Sequence, residues 1–283
     1  MDQGVSMFDI VKSRIRIPTY FIFFALIFCF ISSGNLYAAE KDGELDRVKL
    51  NLGAFIPFFN SELRVDSRTL GQGTNLDLED RLGLDEDITE FRADGYFRFF
   101  DRHRLQLGYY KLSRSAAAQL IPSFQFGDIV FDGLQVFTDT DVKIYEASYM
   151  YSFLQNERME LAGTLGAQTV DIDMSINGTA GALATEGASV VGPLPVIGLD
   201  LIYKFTPNLH FTSRGQFFTL EFEEYDGTLI DFRAALEYMF FENFGLGVGY
   251  NLFYCNVEID GSNFLGDVDY KFQGVNIFGV LRF

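Results

Sequence analysis

The sequence predicts an all-β fold: a single antiparallel, up-and-down transmembrane β-barrel of ten strands. Three observations predict it. Apolar and polar residues alternate with a period of two over long segments, short and long connections follow one another, and aromatic residues stand beside the short connections. The chain has 32 Phe and 14 Tyr among 283 residues, although 22% of its residues are charged. A barrel with an apolar outside and a polar inside accommodates both groups.

The alternation is clearest in residues 231–241, DFRAALEYMFF. One phase of this segment is apolar, whereas the other carries Asp231, Arg233 and Glu237. Residues 209–218, LHFTSRGQFF, alternate in the same way. Because successive side chains of a strand point to opposite faces, each strand is expected to have one apolar and one polar face.

The same pattern predicts ten strands, whose even number brings both chain ends to one side. They are expected near residues 47–58, 88–100, 104–120, 137–153, 159–177, 193–206, 209–224, 228–241, 244–259 and 269–283. The first long connection leaves eight or twelve strands open. Its segments 62–66 and 74–80 could form an extra hairpin or prolong the flanking strands.

The connections alternate in length, as they do in outer-membrane barrels, where periplasmic turns are short and outer loops are longer. The short ones are residues 101–104, 154–158, 206–208 and 242–243, and the long ones are residues 59–87, 121–136, 177–192, 225–227 and 260–267. Aromatic residues beside the short ones predict an interfacial girdle: Phe99, Phe100, Tyr151, Phe153, Phe205, Phe240, Phe241 and Phe244. A soluble β-barrel or β-sandwich with these rings in its core is the alternative.

Residues 1–39 are expected to be a cleaved signal peptide, which leaves the barrel at 40–283. Lys12, Arg14 and Arg16 precede the apolar run Tyr20–Ile31, and small residues follow it. An uncleaved anchor is the alternative, but the run is shorter than the ~20 residues that span a bilayer as a helix.

The last strand carries Val275, Ile277, Gly279, Leu281 and Phe283 at alternate positions. With this ending, the chain resembles the outer membrane protein A and W type of β-barrel superfamily. The ending is similar to the signal by which the barrel assembly machinery recognises its clients, which implies a Gram-negative outer membrane. Residues 78–115 also resemble proteobacterial outer-membrane proteins of uncharacterised activity, a resemblance that implies a location and no activity.

The polar phase of the strands predicts the residues that line the lumen. These are Lys49, Arg92, Asp94, Arg98, Glu146, Asp200, Lys204, Arg214, Asp231, Arg233 and Glu237, six basic and five acidic. Since unpaired ions are costly in a confined space, we expect them to pair across a narrow lumen. They either brace the barrel or line a small selective pore.

Catalysis, metal binding and cofactor binding are not expected. Omptin-like proteases and outer-membrane lipid hydrolases use histidine near the outer rim, whereas His103 and His210 lie beside short turns. The acidic stretch Leu76–Asp87 could offer oxygen ligands to Ca²⁺, but it lacks the spacing of a calcium loop and is expected to be a solvated loop. A net charge of −17 argues against nucleic acid or anionic lipid as a direct partner, so contact with lipopolysaccharide is expected through bridging divalent cations.

The sequence therefore predicts a non-enzymatic, integral outer-membrane barrel that acts as a structural or surface protein. A small selective channel for small solutes is the alternative. The expected partners are outer-membrane lipids, including lipopolysaccharide, and the barrel assembly machinery. The oligomeric state stays open.

Overall fold

The computed structural model describes residues 46–68, 70–80, 82–84, 88–119, 124–126, 129–131, 135–180, 182–222, 225–260 and 265–283. The expected signal peptide, residues 1–39, lies outside this part of the chain. Within the described residues, no helix is long and apolar enough to cross a membrane.

Strands make up most of the described chain. They are β1 (Val48–Val65), β2 (Leu76–Asp77), β3 (Glu90–Phe100), β4 (His103–Gln119), β5 (Phe124–Phe126), β6 (Ile129–Phe131), β7 (Gln135–Gln155), β8 (Met159–Ala180), β9 (Ala182–Lys204), β10 (Leu209–Phe222), β11 (Tyr225–Met239), β12 (Phe244–Asp260) and β13 (Leu265–Arg282).

Ten of these strands form one closed antiparallel sheet. They follow the order β1, β3, β4, β7, β8, β9, β10, β11, β12, β13, and β13 pairs with β1 from Lys49↔Arg282 to Val65↔Gly266. The predicted all-β, up-and-down barrel of ten strands is thus confirmed. We call the end with the four short turns and the start of β1 the turn end, and the opposite end the loop end.

The strands reach further toward the loop end than the sequence predicts. Residues 177–192, expected as a loop, pair as strands β8 and β9 up to Ala180↔Ala182. Residues 225–227, also expected as a connection, lie in β11 and pair with β12. Residues 177–192 are rich in small residues and lack regular alternation, and residues 225–227, Tyr-Asp-Gly, have the composition of a turn, which is why the pattern missed both segments.

The first long connection combines the two expected arrangements. β1 is prolonged to Val65, and the short strand β2 pairs with it through Leu63↔Leu76. β2 adds to the edge of β1 and is not a further strand of the closed barrel.

Two of the strand pairings that close the cylinder end early. β3 pairs with β1 only over Val48–Phe55, and β9 pairs with β10 only over Ile197–Lys204. Toward the loop end, the wall therefore separates into two sheets, β10–β11–β12–β13–β1 and β4–β7–β8–β9, with an opening on either side.

Two prolines explain the opening between β9 and β10. The amide of Lys204 donates toward β8, to the carbonyl of Arg158, and the amide of Phe205 donates toward β10, to the carbonyl of Leu209. Since the amides of a strand alternate in direction, those at odd positions of β9 point to β10. Pro193 and Pro195 occupy two of these positions, and proline has no amide hydrogen to donate.

The outward face of the cylinder is apolar. The eight aromatic residues predicted beside the short turns are all exposed, and Phe241 is 70% exposed. Leu50, Leu107, Leu165 and Ile277 are among the exposed aliphatic residues of the same face. Lipid is the environment in which such a surface is stable.

Candidate functional site

The eleven predicted lumenal residues occupy inward-facing positions of the barrel. Lys49, Arg92, Arg98, Glu146, Arg214, Asp231 and Glu237 are buried, and Asp94, Asp200, Lys204 and Arg233 are half-buried. The strand register agrees with these side chains all pointing inward, because directly paired residues point to the same face. Arg214 lies opposite Asp200 on one side and Arg233 on the other. Lys204 lies opposite the buried His210.

A first group of ions lies at the turn end, on β1, β10, β11 and β13. The Nζ of Lys49, on β1, and the Oε1 of Glu237, on β11, are 2.5 Å apart across the lumen. The second oxygen of Glu237 accepts a hydrogen bond from Arg282, which also contacts His210. The Nε2 of His210 lies 2.9 Å from the carbonyl of Pro207, so both ring nitrogens have partners.

A second group links β3, β4, β8 and β9. Arg98 donates two hydrogen bonds, of 2.9 and 2.8 Å, to the two carboxylate oxygens of Glu160. The Nε of Arg104 lies 3.3 Å from Glu160, and its Nη2 lies 2.8 Å from Asp200. The guanidinium of Arg104 also stacks 5.0 Å from the ring centre of Tyr96. Such bidentate and stacked contacts suit arginine better than lysine.

A third group spans the middle of the lumen. Glu146, on β7, accepts hydrogen bonds from Arg214 at 2.9 Å and Arg233 at 3.1 Å. Arg233 also lies 3.3 Å from Asp231. Arg92 donates to Asn251 at 2.6 Å. The contacts of Glu146 with the two arginines and of Arg92 with Asn251 join strands that are not neighbours in the sheet, so these groups brace the barrel from within.

Two ionic residues of these groups were absent from the predicted lumenal residues, Arg104 and Glu160, whereas Arg282 was expected on the polar side of the last strand. Each stands in the polar phase of its strand. Leu105 follows Arg104, and Leu161 follows Glu160, so alternation alone could have found them.

Toward the loop end, the lumen is filled by apolar side chains. Tyr110 of β4 and Phe272 of β13 meet with ring centres 6.0 Å apart, and Phe272 stacks on Phe253 at 4.9 Å. Phe55 and Ile144, both at most 1% exposed, belong to the same cluster. We call this cluster the apolar block.

The first long connection is part of the apolar block. Leu76, Leu78, Leu82 and Leu84 are at most 3% exposed and pack in the same cluster. The expectation of a solvated loop over Leu76–Asp87 is therefore wrong for these leucines, although residues 85–87 lie outside the described part. Leucines and acidic residues are interspersed in this segment, since one side of it is buried in the lumen and the other side is polar.

One acidic residue of this stretch is buried with a partner. Glu79 Oε1 and Arg114 Nη1, on β4, are 2.5 Å apart, and Glu79 Oε2 accepts a hydrogen bond of 2.7 Å from the amide of Ser61. Among the described residues, no group of three or more histidine, cysteine or acidic side chains is arranged to hold a metal ion.

The two histidines both lie at the turn end. His103 begins β4, and its Nδ1 lies 2.6 Å from the hydroxyl of Tyr149 within the aromatic girdle. His210 is the second residue of β10, close to the β9–β10 turn. Both histidines therefore lie far from the loop end of the barrel.

The residues of the predicted assembly signal run along the outward face of β13. Val275, Ile277 and Phe283 are exposed, and Gly279 and Leu281 are half-buried between them. The carbonyl of Phe283 accepts hydrogen bonds from the amides of Arg47 and Val48, at 2.6 and 2.9 Å. Sequence position 283 therefore pairs with the start of β1.

Comparison with known proteins extends this description. No family model and no curated protein matches the sequence. Among solved structures, the chain is similar to the outer membrane protease OmpT from Escherichia coli, with a TM-score of 0.57 and 8% identity over 86% of this chain and 99% of that chain.

Two other matches have lower TM-scores. The translocator domain of the autotransporter NalP from Neisseria meningitidis has a TM-score of 0.46 and 8% identity, covering 94% of this chain and 96% of that domain. Ail, the attachment invasion locus protein of Yersinia pestis, has a TM-score of 0.33 and 11% identity, covering 84% of this chain and 99% of Ail.

The closed antiparallel sheet, the apolar outer face and the likeness to OmpT define an integral β-barrel of the bacterial outer membrane. Identity of 8% shows a shared fold and no more. Within this class, the chain is a ten-stranded barrel whose lumen holds ion pairs toward the turns and an apolar block toward the loops.

Proposed function

We propose that this protein is a non-conducting, structural or surface protein of the outer membrane. The observation that carries the proposal is the apolar block, which joins the two sheets across the lumen and includes four leucines of the first connection. Ions do not cross a packed apolar region without water. A narrow channel, the alternative, would need a continuous polar path past this block.

Reconstitution into planar bilayers tests this proposal. Folded protein, recognised by a heat-dependent shift in gel mobility, should give no conductance steps. A variant in which residues 70–84 are replaced by a short Gly-Ser linker is the control, because it removes the four leucines while keeping β1 and β3. Discrete steps from the unaltered protein would refute the proposal, whereas steps from the linker variant alone would support it.

We further propose that the protein is not an enzyme. The positions of His103 and His210, both at the turn end, support this. OmpT is a protease by its name, but a likeness of fold at 8% identity carries no activity to this chain. Cleavage of a fluorogenic peptide library, or of phospholipid, by the folded protein at a rate above that of a boiled sample would contradict the proposal.

Lipids of the outer membrane, including lipopolysaccharide, are the proposed partners, together with the assembly machinery during insertion. The outward face supports the lipid contact. The ring centres of Tyr109 on β4 and Tyr145 on β7 lie 5.1 Å apart, with the rings tilted by 39°, and Lys111 and Lys143 follow them one row nearer the loop end. Aromatic residues followed by lysines are typical of a membrane boundary.

A further inference from the structure

The outward face of the barrel carries an apolar groove of about 590 Å³ across β7, β8, β9 and β10. Gly163 of β8 forms its floor and lies in register between Tyr151 of β7 and Leu199 of β9. A Cβ atom added at Gly163 would meet no atom within 4 Å. The exposed side chains of Tyr151 and Leu199 therefore form two walls around a missing side chain. We call this feature the Gly163 groove.

The walls of the Gly163 groove continue one row further from the turns. Leu165, Ile197 and Phe217 are paired in register there and are all exposed. Tyr149 lies opposite Leu165 on the other side. These side chains are aromatic or aliphatic, and the volume falls within the ~300–1,000 Å³ of small-molecule sites. The groove thus has the lining and the size for a hydrocarbon chain.

The depth of the Gly163 groove places it in one leaflet of the membrane. Leu165 stands seven positions after Arg158 of the β7–β8 turn, which is about 23 Å along a strand. At a tilt of ~45°, this distance is about 16 Å along the membrane normal, near half of the ~30 Å hydrocarbon core. Short turns lie on the periplasmic side of outer-membrane barrels. The groove therefore faces the periplasmic leaflet, which consists of phospholipid, and lies below the lipopolysaccharide of the outer leaflet.

The β7–β8 turn presents opposite charges at the head of the groove. Glu157 and Arg158 are adjacent and exposed, and neither has an ion-pair partner among the described residues. The half-buried Met159 and Leu161 lead from this turn to Gly163 along the outward face of β8. Phosphate is a strong acceptor for arginine, and an ammonium group is attracted to a carboxylate. A zwitterionic headgroup offers both charges and adds no net charge to an acidic protein.

We propose that the Gly163 groove is a binding site for one zwitterionic phospholipid of the periplasmic leaflet. One acyl chain lies over Gly163 between Tyr151 and Leu199, and the headgroup binds Glu157 and Arg158. The site differs from general contact with lipid because it holds a single molecule with a stated headgroup at a stated place. It rests on the proposed lipid contact of the outward face and is independent of conductance, so conductance steps would refute the structural role and leave this site standing.

Native mass spectrometry tests the proposal on the folded full barrel, extracted from vesicles of equal parts phosphatidylethanolamine, phosphatidylglycerol and lipid A. We expect one phosphatidylethanolamine to stay bound at collision energies that remove all other lipid. Release of every lipid at the same energy would refute the site and leave the general lipid contact intact. Retention of phosphatidylglycerol or lipid A instead would refute the assigned headgroup and leaflet. A bound second barrel in place of lipid would show that the groove is an interface between copies.

Matched variants locate the bound lipid. Gly163→Leu fills the floor of the groove and should lower retention at least fivefold, whereas Ala93→Leu should not, because Ala93 is a half-buried outward residue of β3. Arg158→Gln removes the partner of the phosphate and should also lower retention. Its control is Arg47→Gln, at an exposed arginine beside the start of β1. Equal retention within either pair would overturn the proposal, and the Arg158 pair decides it if Gly163→Leu does not fold.

Discussion

Glu79 of the first connection binds Arg114 of β4 as a buried ion pair, and the same carboxylate accepts a hydrogen bond from the backbone of Ser61 on β1. The guanidinium of Arg114 stacks 3.9 Å from the ring centre of Phe59. β1 and β4 are the two edges of the opening above β3. One carboxylate thus holds the connection against both edges.

Glu79→Gln should destabilise the folded barrel by about 3 kcal/mol, because loss of one partner leaves the buried charge of Arg114 uncompensated. Urea titration of the protein in lipid vesicles measures this free energy of unfolding. Asp80→Asn is the control: Asp80 is the next residue and is exposed, so its change should stay within about 0.5 kcal/mol. Equal effects of the two substitutions would contradict the role of the ion pair.

Leu82→Ala should cost about 2–5 kcal/mol of unfolding free energy, since Leu82 is fully buried in the apolar block. The same titration measures it. Leu70 belongs to the same connection but is 50% exposed, so Leu70→Ala should have little effect. Were Leu82→Ala as mild as Leu70→Ala, the connection would not pack in the lumen in solution.

The double substitution Pro193→Val and Pro195→Val should let β9 and β10 pair further toward the loop end. It restores two amide hydrogens on the side of β9 that faces β10. Hydrogen exchange of the new amides, followed by mass spectrometry, measures the pairing. The amide of Ile197, already opposite Phe217, is the internal reference. New amides that exchange as fast as those of an unstructured peptide would show that something other than the prolines separates the strands.

Phe283→Ala should reduce the amount of folded barrel in the outer membrane several-fold, if the alternate apolar residues of β13 are the assembly signal. Heat-modifiable protein in purified envelopes measures the folded fraction. Phe241→Ala is the matched control, because Phe241 is an equally exposed aromatic residue beside a short turn. Equal losses from the two substitutions would indicate a general need for aromatic side chains at the interface.

Local patterns were sufficient to predict the cylinder. The turns at 101–102 and 156–158 lie within the predicted short connections, because alternation and turn residues act over a few positions. The predicted inward positions of residues such as Arg214 and Glu237 follow from the same period of two.

The pairing of the lumenal ions and the packing of the first long connection into the apolar block depend on contacts between distant segments. Which carboxylate meets Arg98 is decided by the shear of the barrel, which places Glu160 beside it across 62 positions of sequence. Leu76 and Leu82 stand among acidic residues, and nothing local shows that a lumen is available to bury them. The prolines at 193 and 195 did carry a signal, since proline marks the edge of a sheet.

The barrel wall separates into two sheets above Phe55 and Ile197, so the two parts of the molecule are expected in different environments. In the closed cylinder, apolar side chains point outward into the hydrocarbon of the membrane. Beyond the openings, two sheets enclose a dry interior in the manner of an ordinary water-soluble sandwich. Changes in acyl-chain length should therefore act on the first part, and changes in salt or osmolyte on the second, so a single chain can be weakened at either end independently.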